Sequence, residues 1–208
     1  MLRIEDLAPD FTAPSTIGSI NLYQYLGESW GLIFSHPADF TPVCSSEIAT
    51  AAALADEFSR RNIKLVGLST DTIISHGVWV DDLEAALGVE IGFPIVADED
   101  RRIADLYGMI HPNEDRESTV RTTFIVAPDR RIRAMINYPI VCGRNFDEIL
   151  RVFDSLQRSS TRPVATPANW NCGAPVLLMP TVTDQEAERD YTELNAPLPY
   201  LRHVKDDA

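Results

Sequence analysis

Three short apolar runs, set apart by helix-length stretches, restrict the fold of this chain most strongly. "WGLIFS" (Trp30–Ser35), "IKLVGLST" (Ile63–Thr70) and "FPIVAD" (Phe93–Asp98) each end in turn-forming or polar residues, as strands buried on both faces do. Between them the residues repeat at helical spacing. From Ser45 to Arg61, the apolar Ile48, Ala51, Ala52, Ala55 and Phe58 recur three and four apart, which predicts a helix with one buried face. A second helix is expected within Asp71–Leu87, with Val78, Val80 and Leu83 among its apolar positions, and a short third within Asp100–Tyr107. Such alternation folds as an α/β domain around a partly parallel sheet. Further on, "VRTTFIV" and "RIRAMINY" flank "APDR", where Pro128 and Asp129 supply the turn of a hairpin, so antiparallel strands join the sheet. "NFDEILRVFDSLQ" then starts a helix with Asn145 as N-cap and Glu148 three residues on, burying Phe146, Ile149, Leu150 and Phe153.

Past Ser159 the character changes. Prolines at 163, 167, 175 and 180 exclude long regular elements. Val176, Leu177, Leu178 and Met179 are more apolar than a free tail needs, so this segment reads as an arm packed on the main domain or on a partner subunit. The 208 residues, 45% of them hydrophobic, suffice for one domain of about 150 residues and an appendage. The expected division is residues 1–158 and 159–208.

A formal net charge of −13 repels phosphate backbones and anionic lipid, which argues against nucleic-acid and membrane partners. No apolar run reaches the about 18 residues of a membrane span, and "MLRIEDLAPDFTAPS" lacks the basic-then-apolar layout of a secretory signal. A cytoplasmic protein is expected. Cys44, Cys142 and Cys172 are too few and too far apart for a disulfide scaffold or a C-x-x-C zinc site, and His36, His76, His111 and His203 show no H-x-x-x-H or H-x-x-E-H spacing. Neither a metal nor an organic cofactor is expected.

Cys44 stands apart from the other two. It follows a strand and loop and sits at the mouth of a helix, where unpaired N–H groups and the macrodipole favour an anion; the alternative is a small buried filler. Its flank, "PADFTPVC", fits P-x-x-x-T-x-x-C with Pro37, Thr41 and Cys44. With this stretch the chain closely resembles the peroxiredoxins, and "SHPADFTPVCSSE" resembles their one-cysteine, type-six subfamily. The resemblance extends through "VRTTFIV", "YPIVCGRNFDEILR" and "RPVATPANW" and so covers nearly the whole chain. It implies a thioredoxin-like fold, a mixed β-sheet flanked by helices, with a smaller C-terminal dimerisation arm. It also implies a peroxidase without cofactor that reduces hydrogen peroxide and small organic hydroperoxides and assembles as a homodimer or larger ring.

By the same resemblance Cys44 is the peroxidatic cysteine, Thr41 hydrogen-bonds thiolate and peroxide, Pro37 shields the site and Arg121 lies against the sulfur. Glu47 and Arg144 would orient Arg121. Without the resemblance, an arginine on an edge strand reads as a solvated charge. His36, beside Pro37 at the end of a strand, has two readings, a residue that tunes the pocket and a hydrogen-bonded structural one. Raising the thiolate fraction at neutral pH accounts for only about thirtyfold in rate, and a lower pKa blunts nucleophilicity. Donors aimed at the oxygens must contribute more, so Thr41→Val is expected to slow the reaction far more than it moves the thiol pKa.

Oxidised Cys44 would be a sulfenic acid awaiting a second thiol. Cys142, two residues before Arg144, Cys172 in the arm and an external thiol are the alternatives, and the one-cysteine pattern favours the external one. A different reading is a holdase or oxidant sensor in which oxidation of Cys44 changes assembly; turnover separates the two. "LGESWG" also fits G-x-S-x-G, and the subfamily is associated with a phospholipase activity. Ser29 and Asp129 match its serine and aspartate, but Tyr23 stands where it has a histidine. Lacking an imidazole to take the serine proton, this site is not expected to act, and Gly27 and Gly31 read as turn formers.

Overall fold

The computed structural model describes residues 2–205. Two compact units divide the chain, Met1–Phe146 and Asp147–Ala208; the division therefore falls before the helix expected at the end of the first domain, rather than after it at Ser159. The elements of the first unit are β1 (Thr12–Ser15), β2 (Gly18–Asn21), α1 (Leu22–Leu26), β3 (Trp30–Ser35), α2 (Pro42–Ala53), α3 (Ala55–Arg60), β4 (Ile63–Ser69), α4 (Ile73–Leu87), β5 (Ile95–Ala97), α5 (Arg102–Tyr107), β6 (Arg121–Val126) and β7 (Ile132–Tyr138). They form a seven-stranded sheet in the order β2-β1-β5-β4-β3-β6-β7. Strands β3, β4 and β5 are parallel, while β6 runs antiparallel to β3 and pairs with β7 across the expected hairpin.

The three apolar runs are the three parallel strands, and they lie in the middle of the sheet because only there are both faces covered. Successive residues of β3 point to opposite faces. Ile33 joins Leu22, Leu26, Ile103, Tyr107 and Phe124 in one core, whereas the ring of Phe34 lies 6.3 Å from Phe146, which in turn lies 6.4 Å from Phe58. All of these side chains are buried.

Several local expectations need correction. The helix predicted over Ser45–Arg61 is two helices, α2 and α3, broken at Leu54, which has φ −93° and ψ 13°. In α4 the buried face is His76, Trp79 and Leu83. Val78 is exposed instead, because a valine one residue from Trp79 stands about 100° around the helix from it. Gly31 is no turn former: it lies within β3, and a Cβ there would meet Leu26 Cδ2 at 2.9 Å. Gly27, with φ 55°, does end α1. Arg121 opens β6, an interior strand, and not an edge.

The second unit is more regular than its prolines suggest. Helix α6 (Phe146–Thr161) leads to the short strands β8 (Val164–Ala165), β9 (Val176–Leu178), β10 (Asn195–Leu198) and β11 (Leu201–Val204), with α7 (Asp184–Asp190) between β9 and β10. The strands form their own sheet in the order β10-β11-β9-β8. Val164, Trp170, Val176, Leu178, Val182, Ala187 and Val204 make a separate core. Thr183 and Glu186 cap α7 reciprocally, each side chain taking the other's backbone N–H. No helix among the described residues is long and apolar enough to cross a membrane.

Candidate active site

The loop from His36 to Thr41 joins the end of β3 to the start of α2, and Pro42 at the first helical position fixes the turn into the helix. Val43 and Cys44 follow in the first turn, where backbone N–H groups have no intrahelical acceptor. Cys44 is wholly buried, and Glu47, three residues on and hence on the same face, is 3% exposed. Both point at β6. Arg121 Nη1 donates to Cys44 Sγ at 3.3 Å and to Glu47 Oε2 at 2.8 Å, while its Nε and Nη2 donate to Ile140 O at 2.9 and 2.7 Å. The guanidinium is thereby held at both ends and cannot swing off the sulfur.

Arg144 completes the cluster from the loop after β7. Its backbone N–H reaches Glu47 Oε1 (2.8 Å) and its Nη1 reaches Oε2 (2.7 Å), while Nε donates to Thr123 Oγ1 (2.8 Å) and Nη2 to Thr122 O (2.9 Å) and Ser35 O. The guanidinium also lies over the Phe34 ring, 5.4 Å from its centroid. Burial lowers the Arg144 pKa to about 10, against the opposing pull of Glu47, which leaves it charged at neutral pH. Two guanidiniums therefore face one carboxylate, and one positive charge is unbalanced beside the sulfur.

Thr41 is placed differently from the expectation. Its Oγ1 donates to Ala38 O at 2.9 Å and not to Cys44, so the hydroxyl has lone pairs, not a proton, left to offer another molecule. Pro37, half-buried, lies in the same loop. Cys142 is exposed, with Gly143 O at 3.8 Å from its Sγ, and Cys172 is exposed in the second unit; all three cysteines are free thiols.

Sequence reasoning missed a buried cluster beside the loop. Asp39 Oδ1 lies 3.0 Å from His36 Nε2, and Oδ2 lies 2.8 Å from His76 Nδ1 and accepts from Ser75 Oγ at 2.7 Å. These nitrogens and carboxylate oxygens lie within 4.8 Å of one another, a set that would suit a metal ion, yet each nitrogen–oxygen contact is already at hydrogen-bond length. Histidine spacing gave no signal because Asp39 and His76 stand 37 positions apart. Burial would raise the Asp39 carboxyl, but hydrogen bonds from His36 and His76 outweigh it and hold the group well below the usual carboxylate range.

His36 is fully buried and its Nδ1 has no hydrogen-bond partner among the described residues. Burial lowers its pKa, opposed by Asp39. The unfolded chain takes up this proton near pH 6.5 while the folded protein resists it, so stability should fall as pH drops below about 6.5, by up to about 1.4 kcal/mol per unit. Urea midpoints between pH 7 and 5.5 test this. His36→Gln keeps a donor toward Asp39 without the titration and should flatten the slope; equal slopes in both proteins would refute the assignment.

Comparison with known proteins places this geometry. The AhpC/TSA family model matches residues 4–135, and the model of the C-terminal domain of 1-Cys peroxiredoxin matches residues 155–194. The chain belongs to the 1-Cys peroxiredoxins. A 1-Cys peroxiredoxin of Dictyostelium discoideum is 50% identical over 188 residues, covering 90% of this chain and 78% of the relative. The crystal structure of peroxiredoxin 6 of Arenicola marina, a cysteine-to-serine mutant, matches with a TM-score of 0.95 at 38% identity over 100% of both chains. A yeast mitochondrial 1-Cys peroxiredoxin, whose structure addresses thiol resolution via glutathione/thioredoxin systems, matches with a TM-score of 0.93 at 44% identity, covering 99% of this chain and 100% of that one. This peroxiredoxin is accordingly a cysteine-based thiol peroxidase with the thioredoxin-like fold expected of it.

The G-x-S-x-G motif lies elsewhere in this peroxiredoxin. Ser29 Oγ donates to Asn62 Oδ1 at 2.7 Å, Tyr23 OH to Ala8 O at 2.6 Å, and Asp129 pairs with Arg133. Ser29 borders a cavity of about 280 Å³ whose walls include Tyr25, Phe58, Lys64 and Phe93 but, among the described residues, no histidine. Among the described residues no imidazole lines this cavity to take the serine proton in a Ser-His-Asp triad.

Proposed function

We propose that Cys44 is the peroxidatic nucleophile and that Arg121, Glu47, Arg144, Thr41 and the first turn of α2 form its active site. The observation that carries this reading is the 3.3 Å contact between Arg121 Nη1 and the buried Cys44 Sγ at a helix N-terminus. The Cys44 thiolate attacks one oxygen of the hydroperoxide. An S–O bond forms as the O–O bond breaks, the sulfur is oxidised to sulfenic acid, and the departing oxygen leaves as water or alcohol after taking a proton. Thr41 Oγ1, its own proton directed to Ala38 O, accepts from the peroxide O–H. Arg121 and the N–H groups of Val43 and Cys44 meet the negative charge that builds on the oxygens. Glu47 and Arg144 act through Arg121 by fixing its plane, and Pro37 covers the pocket from the loop.

An external thiol then attacks the sulfenic sulfur, releasing water, and a second thiol reduces the mixed disulfide. The relative studied with glutathione/thioredoxin systems supports this source of electrons. Three unpaired cysteines suit a reducing compartment such as the cytoplasm. The terminal position of β7 in its sheet offers an edge for a second copy, in line with a homodimer.

Intact mass after one equivalent of hydrogen peroxide tests the assignment. A gain of about 16 Da, trapped by dimedone at Cys44 and absent from Cys44→Ser, is expected. A loss of about 2 Da, or a covalent dimer, would instead assign resolution to Cys142 or Cys172.

A further inference from the structure

Thr41 and the first turn of α2 are aimed by a sharp turn in the preceding loop, and that turn is made at a residue ill suited to it. Phe40 has φ 53°, in the left-handed region that glycine adopts freely and a bulky aromatic residue adopts at a steric cost. Such a conformation persists only where surrounding contacts over-determine it. Phe40 itself is 54% exposed, and its ring meets the buried Trp79 of α4 at 6.5 Å between centroids, so its own packing supplies part of this restraint.

The polar contacts lie on the residue before it. Asp39 is tied through its side chain to His36 in the same loop and to Ser75 and His76 of α4. Its backbone N–H donates to Asp71 Oδ2 at 3.0 Å, and Asp71 is held in turn by Ser69 Oγ at 2.7 Å. His76 Nε2 faces Val96 O at 3.2 Å, so the imidazole spans from β5 to the loop with an acceptor at each nitrogen. His36, Asp39 and His76 are all buried. The contact to the sulfur belongs to Arg121, not to this group.

We propose that His76 and Asp39 are a positioning pair for the peroxidase reaction. By pinning the backbone at Asp39 they keep Phe40 left-handed, and so hold Thr41 Oγ1 and the first-turn N–H groups over Cys44. The proposal rests on the site assigned above.

A double-mutant cycle between His76→Asn and Phe40→Gly tests it, read as the second-order rate of sulfenic-acid formation, with the pH dependence of Cys44 alkylation alongside. His76→Asn alone is expected to slow oxidation about 10- to 100-fold, the effect of a misplacement near 1 Å. The alkylation midpoint should move far less than the rate, because Arg121 is untouched and any shift comes from the first-turn N–H groups alone. Glycine meets no steric cost at this φ, so the same His76→Asn change in the Phe40→Gly background should cost less than about 3-fold, a coupling that a general packing loss does not produce. If His76→Asn fails to fold, Ser75→Ala, which removes one tie to Asp39, enters the cycle in its place with the same expected rescue. Equal losses in both backgrounds would overturn the proposal, as would an alkylation midpoint that moves with the rate. One equivalent of bound metal in the purified protein, lost in His76→Asn, would overturn it by making the cluster a metal site. An unsubstituted protein with no peroxide-dependent oxidation of Cys44 would overturn the active-site assignment as well; normal oxidation with no effect of His76→Asn would overturn the positioning role alone.

Discussion

Arg121→Met should slow sulfenic-acid formation by about 100- to 1,000-fold while leaving the fold nearly as stable as before. The rate estimate follows from removing one preorganised donor from the place where charge develops in the transition state. Arg121 Nη1, 3.3 Å from the sulfur and anchored through Ile140 O and Glu47, needs no reorganisation as the peroxide arrives. The fold should survive because Glu47 keeps Arg144, whose backbone N–H and Nη1 both reach it, so one carboxylate still faces one guanidinium. Methionine fills most of the vacated volume. Stopped-flow oxidation rates and thermal melts of the same preparations measure both halves, and a rate loss below about tenfold would remove Arg121 from the machinery. Arg121→Lys is expected to recover little, since an ammonium cannot hold Ile140 O, Glu47 and Sγ together in one plane.

Glu47→Ala should have the opposite signature, a large loss of stability. The Glu47 carboxylate is 2% exposed between Arg121 and Arg144, and its removal leaves two buried cations close together. Breaking a buried ion pair from one side costs about 3–5 kcal/mol, and a chain of this size loses about 2–4 °C of Tm per kcal/mol. A fall near 10 °C is therefore expected. The rate should drop as well, because Arg121 loses one of its anchors, but a Tm within about 2 °C of the unsubstituted protein would show that the cluster relaxes or admits water and that its charges are screened. Comparing the two variants separates the expected work of two of these charged groups: Arg121 on the reaction, Glu47 on the integrity of the cluster that holds it.

Much of the site was legible in the chain itself. The P-x-x-x-T-x-x-C spacing from Pro37 to Cys44 is local, and a strand followed by a helix start places those residues together whatever the remainder does. The parallel strands were legible because burial on both faces leaves an unbroken apolar run, as in Trp30–Ser35. Strands β1 and β2 and helix α1 were missed, being elements of four or five residues, too short for either period to show. The break at Leu54 was missed because the apolar spacing continues across it while the backbone does not.

The chain by itself thus determined the α/β class and singled out Cys44, with the loop that carries it, as the candidate nucleophile, since each depends on neighbours within a few residues. Tertiary structure decided which side chains lie against it. Arg121 and Arg144 meet Glu47 across 74 and 97 positions, and His76 meets Asp39 across 37. No periodicity spans such distances; the contacts exist because β6 pairs with β3 and α4 packs beside α2. The direction of the Thr41 hydroxyl, toward Ala38 O, was likewise settled by the geometry of the loop, because a hydroxyl turns to the nearest acceptor that the folded backbone presents.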